Sequence, residues 1–503
     1  MAITKVCGIE TEYGILLRGS GESNPIAASS VLINAYVQEL QQGADAGAER
    51  IDWDFEDESP GNDARGFARE GAMPPEVETH LVNTVLTNGA RYYVDHAHPE
   101  FSTPECADAR ELVRFDKAGE LILARSMAAA ARTLPTGQGI VVYKNNSDGK
   151  GNSYGCHENY TMDRAVPFGR IVRHVMPHFV TRQIYCGAGK VGCETTAPND
   201  RDVTFQLSQR ADFFEEEVGL ETTLKRPIVN TRDEPHADAQ KYRRLHVIVG
   251  DANMSEVSTF LKVGTTSIVL AMIEDDWFGE RELTLAAPVQ AIRRVSHDLS
   301  LAEPLSMADG STMTAIEIQW ELLDLARKYA EDRGLECVNA AVGADILERW
   351  EAVLTGLETD PTSLAGQVDW IAKHRMINGY RERHDLAWTD PRLAAMDLQY
   401  HDVRPEKSLA ARVSLERLTT DESVAEAVTE PPRDTRAYFR GKCLQKWARW
   451  VAAANWDSLV FDLGSDPLRR VPMMEPLKGT AEFVDRLLEE CNTPAELIER
   501  LGS

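Results

Sequence analysis

The chain has 503 residues, of which 43% are hydrophobic and 27% charged, and its 54 basic against 80 acidic side chains give a formal net charge of −26. Such a composition can bury one large core and a smaller one, which excludes a disordered, fibrous or collagenous chain. The acidic charge also excludes a sequence-independent nucleic-acid binder, because phosphate binding needs a basic surface.

Alternating and helical hydrophobic periodicities follow one another along the chain. Strands are predicted at residues 5–16, 90–95, 139–144, 152–162, 202–210 and 242–249. Helices are predicted at residues 26–40, 76–88, 108–132, 166–185, 255–273, 315–333 and 343–356. Because strands occur both next to one another and separated by helices, the pattern predicts an α+β fold with a large, mainly antiparallel sheet packed by helices.

Two polar segments interrupt this pattern. Residues 41–75 carry nine acidic and three basic side chains with little apolar periodicity, which predicts a mobile acidic loop. Residues 419–433 end in two prolines and predict a domain boundary. We therefore expect a large domain at 1–430 and a small C-terminal domain at 431–503.

The sequence gives no sign of secretion or of membrane insertion. The first residues lack the basic start and apolar run of a signal peptide, and no stretch approaches the roughly 18 apolar residues that span a bilayer. The eight cysteines are dispersed without a C-x-x-C pair, which favours buried free thiols in a reducing compartment. We expect a cytoplasmic monomer that binds neither nucleic acid nor membrane.

Polar side chains share single faces of the predicted strands. Because residues two apart in a strand point the same way, Glu10 lies beside Glu12, and Arg91, Tyr93 and Asp95 form a second row. Paired carboxylates repel unless a cation lies between them, which favours a site for Mg²⁺ or a Mg²⁺-nucleotide. A solvated strand face is the alternative.

Three further segments carry candidate ligands. Residues 96–105 crowd His, Glu and hydroxyl groups into a predicted loop, which either bends over the site or forms a surface turn. His157 shares a strand face with Asn159, at a spacing that excludes an H-E-x-x-H zinc protease. His246 lies on a polar strand face, where a histidine is more often a satisfied core residue than a ligand.

Arginines recur beside predicted turns at Arg210, Arg232 and Arg436. A guanidinium matches phosphate and carboxylate oxygens, although most such arginines form surface ion pairs. Residues 187–192 match G-x-G-x-x-G, but a predicted helix precedes them and no helix is predicted after them. We interpret them as a turn and not as a dinucleotide loop.

Six segments resemble, in order, the Pup ligase/depupylase family, where Pup is the prokaryotic ubiquitin-like protein. They are G-I-E-T-E-Y-G at 8–14, Y-V-D-H-A-H-P-E at 93–100, G-C-H-E-N-Y at 155–160, N-T-R-D-E-P-H-A-D at 230–238, R-L-H-V-I-V-G-D-A-N-M-S-E at 244–256 and T-R-A-Y-F-R-G at 435–441. The resemblance runs from residue 5 to about residue 470. It implies a glutamine synthetase-like catalytic domain with a curved antiparallel sheet that binds ATP, and a small C-terminal domain.

The resemblance also implies roles for single residues. Asp95 resembles the catalytic aspartate of the family, acting either as a nucleophile or as a general base. The residues that resemble the metal site are Glu10, Tyr93 and Glu100, with His157 and His246 as additional members. The residues that resemble nucleotide contacts are Arg91, Thr103, Arg232 and Trp456. For Arg210 and Arg436 we infer phosphate or Pup carboxylate binding from their chemistry.

Two features resemble the depupylase branch of the family more than its ligase branch. The acidic segment 41–75 resembles an insertion of that branch, and the stretch between Asp95 and Glu100 is one residue shorter than is typical of the ligases and carries an extra His. The branch implies deamidation of the C-terminal Gln of Pup to Glu and cleavage of the isopeptide bond between Pup and target lysines. The implied cofactors are Mg²⁺ and ATP, or ADP plus phosphate.

Three alternatives remain open from the sequence. The first is a Pup-protein ligase that couples ATP hydrolysis to isopeptide formation. The second is a small-molecule glutamate-amine ligase, and the third is a non-catalytic ATP-binding scaffold.

Overall fold

The computed structural model describes residues 1–19, 24–42, 50–56, 58–68, 81–194, 203–279, 282–464 and 466–502. The strands are β1 (Cys7–Glu12), β2 (Gly14–Arg18), β3 (Asp52–Trp53), β4 (Asn62–Asp63), β5 (Phe67–Ala68), β6 (Asn83–Val85), β7 (Arg91–Asp95), β8 (His98–Ser102), β9 (Gly139–Tyr143), β10 (Cys156–Asp163), β11 (Lys190–Val191), β12 (Phe205–Gln206), β13 (Phe214–Gly219), β14 (Arg226–Asn230), β15 (Tyr242–Val247), β16 (Leu305–Ser306), β17 (Thr312–Met313), β18 (Val451–Ala454), β19 (Ser458–Phe461) and β20 (Arg469–Pro472).

The helices alternate with these strands and, beyond β17, follow one another as a helical block. They are α1 (Pro25–Gln42), α2 (Ala109–Thr133), α3 (Phe168–Thr181), α4 (Gln183–Cys186), α5 (Glu256–Glu274), α6 (Pro288–His297), α7 (Ala315–Arg333), α8 (Ala340–Thr359), α9 (Asp369–Arg383), α10 (Pro391–Tyr400), α11 (Asp421–Ala427), α12 (Ala437–Trp447), α13 (Ala481–Glu490) and α14 (Pro494–Gly502).

A ten-stranded sheet organises the fold, in the order β15-β10-β1-β8-β7-β6-β3-β18-β19-β20. Its pairs are antiparallel except for β3 with β18, so the predicted large, mainly antiparallel sheet is confirmed. The predicted strand 5–16 divides at Tyr13, because β1 pairs within the large sheet whereas β2 pairs with β9.

Helix α5 lies at the centre of the large core. By length and composition it could cross a membrane, contrary to the sequence-based expectation that no such stretch exists, yet all of its apolar window is buried inside the protein. Its one lysine, Lys262, donates to the carbonyl oxygen of Asp251 at 2.6 Å. The pattern of α5 is therefore that of a core helix packed on every side.

Two predicted elements differ in the structure. Residues 81–88, predicted as the end of a helix, contain strand β6, in which Asn83–Val85 are all buried; a short buried run does not distinguish strand from helix. Residues 76–80 of that prediction lie outside the described residues. The predicted strand 202–210 is reduced to β12, because the backbone N–H groups of Ser208 and Gln209 bind side chains and not a neighbouring strand.

The described part of the acidic segment belongs to the fold. Strand β3 pairs with β6 and β18, and Ile51 and Trp53 pack into a second hydrophobic core that is otherwise built mostly from residues after 437. N-terminal side chains thus complete the C-terminal core. Residues 43–49, 57 and 69–75 lie outside the described residues, and the mobility of the segment and the boundary at 430 stay predictions.

Gly119 of α2 allows the helix to approach the site strands closely. A Cβ atom added there would lie 2.5 Å from Cδ1 of Phe101, the buried residue that follows Glu100. We expect Gly119→Ala to lower the free energy of unfolding by about 1–3 kcal/mol, measured by denaturant titration. Gly379→Ala is the matched control, since nothing lies within 4 Å of its added Cβ, and should raise stability by about 0.5–1 kcal/mol. An unchanged midpoint for Gly119→Ala would contradict this packing.

Candidate active site

One half of the site forms where β1, β10 and β15 pair. Glu10 lies opposite His157, and Asn159 lies opposite His246, so the four side chains share one face of the sheet. One ligand atom each of Glu10, His157 and His246 lies within 4.8 Å of the others. The predicted convergence of these three residues is therefore observed.

Asn159 fixes the orientation of this group. Its amide nitrogen donates to Oε1 of Glu10 at 2.8 Å, and its Oδ1 lies 3.0 Å from Nδ1 of His246. Because an amide oxygen only accepts, Nδ1 carries the proton and Nε2 keeps its lone pair. Nε2 is buried and has no hydrogen-bond partner among the described residues. Burial also holds the pKa of His246 well below its usual range, so the ring is neutral, as a metal ligand must be.

The other half of the site forms where β1, β8 and β7 pair. Glu12 lies opposite Glu100, Glu100 lies opposite Tyr93, and Asp95 lies opposite His98. One oxygen each of Glu12, Asp95 and Glu100 lies within 4.8 Å of the others. Three carboxylates therefore meet on the same sheet face as Glu10.

The segment after Asp95 is a correction to the sequence analysis. Residues 98–102, predicted as part of a loop, form strand β8, which returns antiparallel to β7 through a two-residue turn at His96 and Ala97. Residues 99–102 are all buried, so both faces of β8 are covered, as in a strand at a sheet interior. Glu100 is thus held by a strand on each side.

The pKa values of the carboxylates Glu10, Glu12 and Glu100 are shifted in opposite directions. Burial, together with the charges of Asp95 and Glu12, raises the pKa of Glu100 well above its usual range. Against the effect of burial, the imidazoles of His98 and His157 lower the pKa of Glu12 to about 2. Against the effect of burial, the hydrogen bond with His157 and the charge of Arg244 hold the pKa of Glu10 well below its usual range. The site therefore sets two carboxylates with lowered pKa values beside a third whose pKa is raised.

The donor atoms fit a hard cation. Carboxylate oxygens of Glu12, Asp95 and Glu100 are the ligands that Mg²⁺ prefers. Tyr93 adds a phenol whose pKa burial raises well above its usual range, so it offers a neutral oxygen. The group of Glu10, His157 and His246 offers one oxygen and two nitrogens, a set that transition metals also accept.

Two of the four predicted nucleotide contacts line a solvent-open cleft beside Glu10. Thr103 and Trp456 line it, but Oγ1 of Thr103 already accepts from the backbone N–H of Ile9 at 3.0 Å. Trp456 packs edge-on against Trp53, with 5.2 Å between ring centroids. The cleft therefore lies between β1 and the C-terminal core.

Arg91 and Arg232 do not line this cleft. The guanidinium of Arg91 lies 3.9 Å from the ring centroids of Trp53 and Tyr93, and its Nε donates to Asn83 at 2.9 Å. Nε of Arg232 is buried without a hydrogen-bond partner among the described residues. Arg91 is therefore positioned beside the phenol of Tyr93, and the buried Nε of Arg232 is a donor that the described residues leave unsatisfied.

The two inferred anion-binding arginines have protein partners. Arg210 is buried and binds the carbonyl oxygens of Ile248 and Gly250; burial lowers its pKa to about 10. Arg436 lines the cleft, but its Nε donates to Oε1 of Glu105 at 2.7 Å. Their roles in phosphate or carboxylate binding stay predictions.

The roles implied by the family resemblance leave out two members of the site, Glu12 and His98. Strand alternation pairs Glu12 with Glu10, and the structure places Glu12 among the three clustered carboxylates. Nδ1 of His98 lies 3.3 Å from Oε2 of Glu12, and this contact could not be predicted while 98–102 was assigned to a loop.

The sheet, its acidic face and the adjoining cleft define an enzyme of the glutamine synthetase-like class. The chain belongs to the Pup-ligase family, since the model described as Pup-ligase protein matches residues 5–460. The chain is 53% identical to a depupylase of Acidothermus cellulolyticus and 48% identical to a Pup deamidase/depupylase of Mycolicibacterium smegmatis, in each case over 99% of both chains. It is 42% identical to a Pup-protein ligase of Kineococcus radiotolerans, over 81% of this chain and 90% of that protein.

Solved structures agree with this assignment. The structure of the ligase PafA in complex with Pup matches with a TM-score of 0.80 and 33% identity, over 99% of this chain and 94% of that chain. The structure of PafA with ADP matches with a TM-score of 0.73 and 38% identity, over 81% of this chain and 89% of that chain. The predicted family and fold class are confirmed.

Proposed function

We propose that the protein is a hydrolase that deamidates the C-terminal Gln of Pup to Glu and cleaves the isopeptide bond between Pup and target lysines. The observation that carries this proposal is the similarity to a depupylase and to a Pup deamidase/depupylase, each of which aligns over 99% of both chains. The Pup-protein ligase has a lower identity and aligns over only 81% of this chain. Pup and pupylated proteins are the proposed partners. The cytoplasmic location and the monomeric state stay predictions.

The two reactions share one chemistry. In both, a side-chain amide carbonyl of the terminal residue of Pup is attacked and an amine is expelled. The side chain of Asp95 is 30% exposed, whereas that of Glu12 is 13% exposed and Glu100 is buried. Of the three clustered carboxylates, Asp95 is therefore the one that an incoming amide can reach.

Asp95 acts on this carbonyl as a nucleophile. Its oxygen forms a bond to the carbonyl carbon, the amine leaves with a proton, and water opens the resulting mixed anhydride to return the aspartate and a glutamate. The rival role is that of a general base that takes a proton from the attacking water. Hydroxylamine added during turnover should yield a hydroxamate; intact turnover without hydroxamate would favour the general base.

The site residues would hold two cofactors. Glu10, Tyr93 and Glu100, with His157 and His246, would hold Mg²⁺. Thr103 and Trp456, which line the cleft, and Arg91 and Arg232, which do not, would contact ATP, or ADP plus phosphate. Bound Mg²⁺ supplies positive charge that stabilises a developing oxyanion. Amide hydrolysis is downhill, so the nucleotide is a bound cofactor; ADP released in step with ammonia would contradict this role.

The raised pKa of Glu100 predicts that Mg²⁺ binding releases a proton. Since the ligand must be ionised and the free carboxyl is protonated, the affinity should fall as pH falls, by up to about tenfold per pH unit below the raised pKa. Calorimetry at two pH values, in buffers of different ionisation enthalpy, measures both the Mg²⁺ affinity and the number of protons released. Glu100→Gln should bind Mg²⁺ more weakly and release no proton. Equal affinities at both pH values would contradict the assignment.

The substrate is tested by weighing the product. Pup ending in Gln, incubated with the protein, ATP and Mg²⁺, should gain about 1 Da as NH₂ is replaced by OH. A conjugate in which the side-chain carboxyl of the terminal Glu of Pup is joined to a lysine of a reporter protein should be cleaved under the same conditions. The ligase alternative instead predicts an unchanged mass for Pup ending in Gln, and a conjugate when Pup ends in Glu and a target lysine is supplied.

A further inference from the structure

The residue after Asp95 has an unusual backbone conformation. His96 is the first residue of the two-residue turn between β7 and β8, and its φ is +51°. Left-handed φ values favour Gly; Asn, Asp and His adopt them more readily than other residues, at a cost in backbone strain. Such strain at a turn is retained where the side chain has a task.

The imidazole of His96 turns back onto the reactive carboxylate. Nδ1 lies 2.8 Å from Oδ2 of Asp95. A carboxylate oxygen accepts, so Nδ1 donates and holds one of the two oxygens. The bond engages Oδ2 and does not occupy Oδ1 of Asp95.

This contact contributes little to folding. The side chains of His96 and Asp95 are 59% and 30% exposed, and exposed charge-assisted pairs add little to stability because water screens them. A glycine at this turn would relieve the backbone strain without leaving a buried group unpaired. The bond between His96 and Asp95 is therefore explained better by the carboxylate that it orients than by the stability that it adds.

We propose that His96 is a positioning residue that fixes the carboxylate of Asp95 in the orientation needed to reach the substrate amide. This inference rests on the proposed function. Without the bond from Nδ1, the carboxylate rotates about its side-chain torsions, and fewer encounters bring an oxygen to within about 3–3.5 Å of the carbonyl carbon. The effect falls on kcat and not on the binding of Pup.

Two variants at one position separate the hydrogen bond from the backbone. His96→Gly accepts the left-handed φ but lacks the donor. His96→Asn also tolerates this φ, and its Nδ2 stands as many bonds from Cβ as Nδ1 of histidine does. Asp385→Gly is the matched control, because Asp385 is exposed, has a φ of +50° and belongs to another region of the chain.

The assay measures kcat and KM for deamidation of Pup ending in Gln, together with the melting temperature. We expect His96→Gly to lose about 10-fold to 100-fold in kcat, with KM within about twofold and a melting temperature at or above that of the wild type. His96→Asn should recover most of this loss, and Asp385→Gly should keep the kcat of the wild type.

Wild-type kcat in His96→Gly, or an equal loss in His96→Gly and His96→Asn, would overturn the positioning role. A loss carried by KM alone would overturn it as well. Failure of the wild-type protein to deamidate Pup would instead contradict the proposed function, so the two failures are distinguishable.

Discussion

Replacing Asp95 by Asn should abolish deamidation and depupylation together, with a fall in kcat of about 1,000-fold or more. The amide keeps the shape of the side chain but offers neither a nucleophilic oxygen nor a base. Nucleotide affinity should stay within about twofold, because Asp95 does not line the cleft beside Trp456. Ammonia release and cleavage of a Pup conjugate measure the two reactions, and calorimetry measures nucleotide binding.

The matched control is Asp385→Asn, which changes an exposed carboxylate in another region of the chain and should leave both rates unchanged. Loss of only one of the two reactions in Asp95→Asn would contradict a shared carbonyl chemistry. Retained activity in both would remove Asp95 from the mechanism.

The second large effect is expected at Glu105, which joins the site strands to the C-terminal core. Its carboxylate pairs with Arg436 and Arg440, whose side chains are 4% and 0% exposed. Arg440 also donates to the carbonyl oxygens of Gly89 and Trp456, on opposite sides of this junction. Glu105→Gln leaves two buried guanidiniums without a counter-charge.

We expect Glu105→Gln to lower the free energy of unfolding by about 3–5 kcal/mol, measured by denaturant titration. Nucleotide affinity should fall as well, because Glu105, Arg436 and Trp456 line the same cleft. Asp390→Asn is the control: it removes an exposed ion pair with Arg392 but keeps the helix cap, and should not shift the midpoint. An unfolding midpoint of Glu105→Gln equal to that of the wild type would contradict the stabilising role assigned to Glu105.

The same ion pairs give a pH dependence of stability. Against the effect of burial, Arg440 and Arg436 lower the pKa of Glu105 to about 2, from about 4.5 in the unfolded chain. A lowered acid pKa contributes stability above the unfolded value that is lost as pH falls through the folded one. The stability difference between wild type and Glu105→Gln should therefore narrow from about pH 4.5 towards pH 2.

The sequence predicts which face of a strand a side chain occupies better than it predicts which strand lies beside it. Strand alternation places Glu10 beside Glu12 and Tyr93 beside Asp95, and the structure agrees. It does not reveal that His157 lies opposite Glu10, because that register joins residues almost 150 positions apart. The resemblance to a family brought these residues together before the register was known.

Burial and competing partners explain the remaining differences. Strand β6 was predicted as helix because a short run buried on both faces lacks either periodicity. Strand β8 was assigned to a loop because its His and Glu residues resemble a polar turn. Arg210 and Arg436 appear in the sequence as available cations, yet in the fold they bind backbone carbonyls and Glu105. Whether a guanidinium is available depends on contacts that sequence spacing does not encode.

The most direct test of the account is a crystal structure of Asp95→Asn with Mg²⁺, nucleotide and Pup ending in Gln, in which the substrate is trapped. The distance to measure joins the side-chain amide of residue 95 to the carbonyl carbon of the terminal Gln. The account predicts about 3–3.5 Å, with the cation held on the face that carries Glu10 and Glu100. A terminal Gln bound elsewhere, or residue 95 turned away from it, would contradict the central claim.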